Sequence, residues 1–156
     1  MHSITPGDIN EKVVSQRASW VLEMIDALRE LPLTSREEFF QNKHNLAAAE
    51  SYLRRSLEAL FDIGRHILVK HFTHPAAECK EIARGLAEKK VIGENELALM
   101  RKMAGYRNRM VHFYHEITPE ELHDVCLNHL DELKLLLETL LQWIRKNKVA
   151  SNANST

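Results

Sequence analysis

The stretch from Thr118 to Lys148, TPEELHDVCLNHLDELKLLLETLLQWIRKNK, decides the fold class. Thr118-Pro119-Glu120-Glu121 has the form of a capping box, with proline at the first helical position where its missing amide costs nothing. Beyond it Leu122, Val125, Cys126, Leu130, Leu133, Leu137, Leu140 and Ile144 recur mostly every three or four residues, the interval that paints one face of a helix. The spacing predicts one long helix to about Lys148. Its most apolar part, Leu133 to Ile144, is interrupted by Glu138 and Gln142 and is too short to span a bilayer.

The same periodicity runs through the rest of the chain. Ile9, Val13, Trp20, Met24, Leu28 and Leu31 mark a first helix, which Pro32 stops. Ser35-Arg36-Glu37-Glu38 is a second capping box, followed by Leu46, Leu53, Leu57, Leu60, Phe61, Ile67 and Leu68 toward Phe72. Unbroken, that region would be about 55 Å long, more than a domain of this size covers, so a break is expected between Gln41 and His44. His74-Pro75 ends it. Cys79, Ile82, Ala83, Leu86 and Ala87 define a shorter helix closing before Ile92-Gly93, and Glu94 opens another with Leu97, Met100, Ala104 and Val111 on one stripe. The expectation is an all-α, elongated up-and-down bundle of about five helices. It forms one domain over residues 1–149, followed by a disordered tail at residues 150–156 with nothing to bury.

A length of 156 residues supports one hydrophobic core. Apolar residues at 44% and charged residues at 28% keep the chain away from the composition of disordered proteins. Only five glycines and four prolines occur, so few turns are signalled, which favours helices over a sheet. A net charge of −1 gives no global attraction for nucleic acid, so any such site must be local. Arg101, Lys102, Arg107 and Arg109 form its densest candidate, with Lys89 and Lys90 in the preceding element. Cys79 and Cys126 are far apart and read as reduced core thiols, and the polar amino terminus has no signal-peptide core; a cytoplasmic protein without membrane association is expected.

No phosphate loop, paired-cysteine knuckle or nucleophile elbow is present. The nine histidines do not make a metal site by spacing: His66 and His71 fall on roughly opposite sides of their helix. His44, His66, His123 and His129 read as histidines with no chemical task. The segment Arg107-Asn108-Arg109-Met110-Val111-His112-Phe113-Tyr114 differs, because it packs a guanidinium, an amide, an imidazole and a phenol into little more than two turns. Asn108 and His112, four apart, share a face. Arg107 and His112 lie about 140° apart round a regular helix and about 7.5 Å along it. To converge they need a frayed helix end, the reach of arginine, or a second copy across a dimer axis. A polar seam between subunits explains the same residues, yet their types suit phosphoryl chemistry on RNA without a metal or other cofactor. Imidazole moves the proton of a 2′-hydroxyl, and guanidinium holds charge on phosphorus.

The order Arg107, four residues, His112, one residue, Tyr114 resembles the signature of HEPN ribonucleases, in the form found in HepT-like toxins. The similarity extends to Ile9-Asn10-Glu11-Lys12, to Ile82-Ala83-Arg84-Gly85-Leu86-Ala87-Glu88 leading into Val91-Ile92, and to Thr118-Pro119-Glu120-Glu121-Leu122. It spans roughly residues 8–147. The resemblance implies a homodimer whose two motif copies line one cleft, and a metal-independent endoribonuclease with Arg107 and His112 catalytic and Asn108 supporting. It also implies a nucleotidyltransferase antitoxin of the MNT type that adenylylates Tyr114. Arg101, Lys102 and Arg109 are expected to contact RNA. Two rivals remain: a non-catalytic dimerisation or partner-docking module, and a nucleotide-binding helper that presents this surface to a transferase.

Overall fold

The computed structural model describes residues 9–111 and 117–154. Seven helices follow one another: α1 (Glu11–Arg29), α2 (Arg36–Gln41), α3 (Lys43–Phe72), α4 (Cys79–Glu88), α5 (Glu94–Val111), α6 (Pro119–Asn128) and α7 (Leu130–Asn154). The bundle is built round α3, which packs against each of the other six. That explains its composition: Leu53, Leu57, Leu60, Phe61, Ile63, Ile67 and Leu68 are all essentially inaccessible, so more than one face of α3 is apolar. α3 meets the side chains of α4 tightly at Gly64, where a side-chain carbon would stand 2.9 Å from Ile82 Cγ2.

The helix starts follow local chemistry. Asn10 Oδ1 accepts from the Val13 amide at 3.2 Å, Ser35 Oγ from Glu38 at 3.3 Å and Thr118 Oγ1 from Glu121 at 3.1 Å. Each satisfies an amide that the first turn leaves without an intrahelical acceptor. The break expected between Gln41 and His44 falls at Asn42, whose extended backbone (φ −113°, ψ 112°) closes α2 while its side chain accepts from the His44 amide at 2.9 Å to open α3. Thr73, in the left-handed region at φ 49°, turns the chain out of α3, and the His74 amide closes the end on Leu68 O at 2.9 Å.

Three expectations are corrected. The helix expected from Pro119 to Lys148 is two, because His129 leaves the helical conformation (φ −121°, ψ 6°) where its ring meets carboxylates on both sides, Asp124 and Glu132. The bend lets Leu122, Val125 and Cys126 face the core from one axis and Leu133, Leu136, Leu137 and Leu140 from another. Secondly, α7 does not stop near Lys148; its backbone continues as helix to Asn154. Thirdly, Trp20 is not on the buried stripe of α1. Val14, Ala18, Val21, Ile25 and Leu28 form that stripe, and Trp20 is 39% exposed beside it. Among the described residues no helix is long and apolar enough to cross a membrane.

Candidate functional site

α5 carries the site. Met100, Met103 and Ala104 bury one stripe of it, and Arg107, seven residues after Met100, continues that stripe toward the end of the bundle. An arginine in register with the core must desolvate part of its head. Arg107 Nε is shielded from solvent and has no hydrogen-bond partner among the described residues, although the residue as a whole is only half-buried. Its charge is felt at the start of α4: burial pushes the Cys79 thiol up, against the opposing pull of the Arg107 and Arg65 guanidinia. Arg65 itself is engaged, donating to Ala76 O at 3.2 Å, to Ala77 O at 3.1 Å and to Asp62 at 3.0 Å. Asn108 follows Arg107, half-buried. Val111, one turn after Arg107 on the same stripe, is 39% exposed at the end of α5.

His112 and Tyr114 lie outside the described residues, so the placement of the imidazole and phenol relative to Arg107 does too. What brackets them is well defined. Arg109, on the side of α5 away from the core stripe, forms a two-pronged pair with Glu121 at the start of α6, Nη1 to Oε2 at 2.6 Å and Nη2 to Oε1 at 2.5 Å. Parallel guanidinium–carboxylate bonds fix orientation as well as distance. The pair ties the chain just before residues 112–116 to the chain just after them. Glu121 had read as the carboxylate of a capping box; Thr118 makes its half of that motif, while Glu121 is bonded to Arg109.

The other basic candidates divide. Arg101 is exposed. Lys102 is drawn into a cluster at the bend between α6 and α7, with Nζ 2.7 Å and 3.0 Å from the Glu132 oxygens and 3.1 Å from His129 Nδ1. Burial works against its charge, but the hydrogen bond it donates to Glu132, together with the nearby negative charge, prevails and holds Lys102 above the usual lysine value. Burial likewise opposes ionisation of Glu132, and the bonds from Lys102 and His129 keep its carboxyl below the usual range. Nothing in the local spacing of Lys102, thirty residues from Glu132, signals this engagement. The remaining histidines set aside above are placed as follows: His44 is exposed, His66 Nε2 accepts from the Asn10 amide at 2.9 Å, and His123, 7% exposed, bonds Leu33 O at 2.8 Å against Phe39. Among the described residues no three His, Cys, Asp or Glu side chains converge as a metal cluster would require.

Helices packed round one central helix, with a polar Arg-Asn-Arg turn at the exposed end of a buried stripe, define the class of the protein as an all-helical bundle. The family model for HepT-like ribonucleases matches residues 21–140, and the chain belongs to that family. Solved structures of the same fold include a toxin–antitoxin complex with AMP-PNP, with a TM-score of 0.73 and 20% identity, covering 82% of this chain and 97% of that one. A tri-AMPylated HEPN toxin of Shewanella oneidensis in complex with an MNT antitoxin gives a TM-score of 0.75 at 20% identity, covering 83% and 97%. The cytosolic protein YutE of Bacillus subtilis, of unknown function, gives 0.72 at 16% identity, covering 89% and 93%. At these identities the likeness is one of fold. No curated protein sequence matches this chain.

Proposed function

We propose that this chain is the toxin of a toxin–antitoxin pair and a metal-independent endoribonuclease that cleaves RNA by transesterification. The observation that carries the reading is Arg107 Nε, held out of solvent with no acceptor among the described residues at the end of α5, five residues before His112 in the chain. A buried guanidinium edge with no partner costs about 1–3 kcal/mol, and a phosphate oxygen is the acceptor it suits. In the proposed reaction His112 takes the proton of a 2′-hydroxyl, whose oxygen bonds to the adjacent phosphorus. The bond to the 5′-oxygen breaks, that oxygen gains a proton, and a 2′,3′-cyclic phosphate remains. Arg107 holds the charge on the phosphoryl oxygens, and Asn108 supports the site. Because Arg107 and His112 do not converge on one regular helix, the working site is composite, with two chains contributing at a dimer cleft.

Control is assigned to Tyr114. A partner nucleotidyltransferase of the MNT type would transfer an adenylyl group from a nucleoside triphosphate to the phenol oxygen and release pyrophosphate. The new negative charge near Arg107 would compete with the RNA backbone. Support comes from family membership and from the AMPylated state of the Shewanella toxin. The test is incubation of purified protein with RNA in the presence of a chelator. Cleavage that is lost in Arg107→Ala and in His112→Ala supports the reading. A wild-type protein that leaves RNA intact while free of antitoxin and adenylylation would replace it with a non-catalytic docking module.

A further inference from the structure

A cavity of about 380 Å3 opens between the start of α3, the end of α5 and the start of α6. Its volume lies toward the lower end of small-molecule sites, which run from about 300 to 1,000 Å3. Leu46, Met110, Ile117 and Leu122 supply apolar walls, and Lys43 and Glu50 its free polar groups. Arg109 also borders it, but its guanidinium is occupied by Glu121, so there it acts as a fixed wall. Lys43 is exposed and enters no ion pair among the described residues. Glu50 forms only a long pair, 4.0 Å, with Arg54 one turn further along α3, through one of its two oxygens. Met110 is three residues after Arg107 and a neighbour of it on the helix surface, so one turn of α5 separates the cavity from the guanidinium assigned to the scissile phosphate.

Resting on the ribonuclease reading above, we propose that this cavity is a subsite for one nucleobase of the RNA substrate, entered from a strand whose cleaved phosphate is at Arg107. The apolar walls take the faces of the base. Glu50 accepts from an exocyclic amino group, which favours adenine, cytosine or guanine over uracil. Lys43 holds a backbone phosphate at the mouth. An apolar slot bordered by Lys43, which has no ion pair among the described residues, and by Glu50, held only by the long pair with Arg54, fits a nucleotide on all three counts, whereas a purely apolar side chain would leave both charges unused.

The probes are the four nucleoside 3′-monophosphates, followed by methyl NMR on the wild-type protein and on Ala47→Trp. Ala47 borders the cavity and is exposed, so the added indole fills the space without entering the core. The amino-bearing nucleotides are expected to shift the methyl signals of Leu46, Met110 and Ile117 at millimolar concentration, and Ala47→Trp to abolish the shifts. In RNA cleavage Ala47→Trp should raise KM about tenfold with kcat within about twofold, and Lys43→Ala should raise KM severalfold and flatten its salt dependence. Glu50→Gln should remove the discrimination against uridine monophosphate. If no nucleotide moves those methyls, or if Ala47→Trp cleaves with unchanged KM, there is no base subsite. Loss of dimerisation in Ala47→Trp would also overturn it, by giving the cavity to the contact between chains. Should the wild type cleave no RNA, the ribonuclease reading fails by itself, and the methyl titration still decides what the cavity binds.

Discussion

Arg107 sets stability against function. Its buried Nε has no partner among the described residues, so replacing it relieves a desolvation cost of about 1–3 kcal/mol while losing the packing of its stem. Arg107→Ala should therefore unfold in urea within about 1 kcal/mol of the wild type while cleaving RNA at least a hundredfold more slowly. A large drop in midpoint would mean that the guanidinium holds the fold together instead. Arg109 calls for the opposite outcome. Both its side chain and that of Glu121 are about one-third exposed, so their coupling in a double-mutant cycle should be only about 0.5–1 kcal/mol. Glu121→Ala should then damage cleavage as much as Arg109→Ala does, because either change unties residues 112–116. Activity lost with Arg109 alone would return that guanidinium to the RNA interface. The motif stands out in the sequence because unlike polar groups follow one another within the eight residues from Arg107 to Tyr114. The engagement of Arg109 does not, since Glu121 satisfies a capping pattern just as well, and a pair between α5 and α6 leaves no trace in local spacing.

Among the elements, existence followed from periodicity and boundaries did not. A run such as Leu122 to Ile144 specifies a helix by its apolar repeat. The bend at His129 comes from side chains meeting Asp124, Lys102 and Glu132 in three dimensions, and the replacement of Val13 and Trp20 by Val14 and Val21 on the α1 stripe, where Met24 and Leu28 are buried as expected, comes from the way α1 lies on α3. Close approach of elements is likewise set at single positions. Gly64→Ala puts a methyl 2.9 Å from Ile82 Cγ2 and 3.0 Å from Leu86 Cδ1, and should cost about 1–3 kcal/mol in chemical denaturation despite the better helix propensity of alanine. Gly105 on α5 has open space where its side chain would go, so Gly105→Ala should add about 0.5–1 kcal/mol. Equal effects at the two sites would refute the packing argument. The start of α1 should also be sensitive to acid. Burial, then the charge of Lys70, lowers the pKa of His66, and the neutral ring accepts from the Asn10 amide. A group lowered in the folded state stabilises fully above its unfolded value of about 6.5, and that contribution falls as pH drops from there toward the folded value. His66→Leu should flatten this part of the stability profile; an unchanged slope would take His66 out of it.

At the scale of the whole molecule, the end of α5 looks incomplete in one copy. The stripe that is buried at Met100 and Ala104 carries Arg107, whose Nε has no partner among the described residues, and then surfaces at Val111, 39% exposed, immediately before His112 in the chain. An apolar residue in register with the core but open to solvent suits a contact between chains, and a two-fold axis through that contact would set two copies of the segment face to face. Sedimentation at micromolar concentration should give twice the 18.1 kDa chain, and Val111→Glu should release monomers that retain helix but not cleavage. A sharper test follows from the composite site proposed above, because a regular helix would set Arg107 and His112 about 140° apart and the proposal therefore assigns them to different chains of each working site. Arg107→Ala and His112→Ala proteins, each inactive alone, should regain activity when unfolded together and refolded as a mixture. Half of the dimers formed would be mixed, each with one of its two sites intact, which sets the recovery at about a quarter of the wild type. A mixture that stays inactive while mixed dimers are demonstrably present would place both residues of a site on the same chain, and the dimer would then serve assembly rather than catalysis.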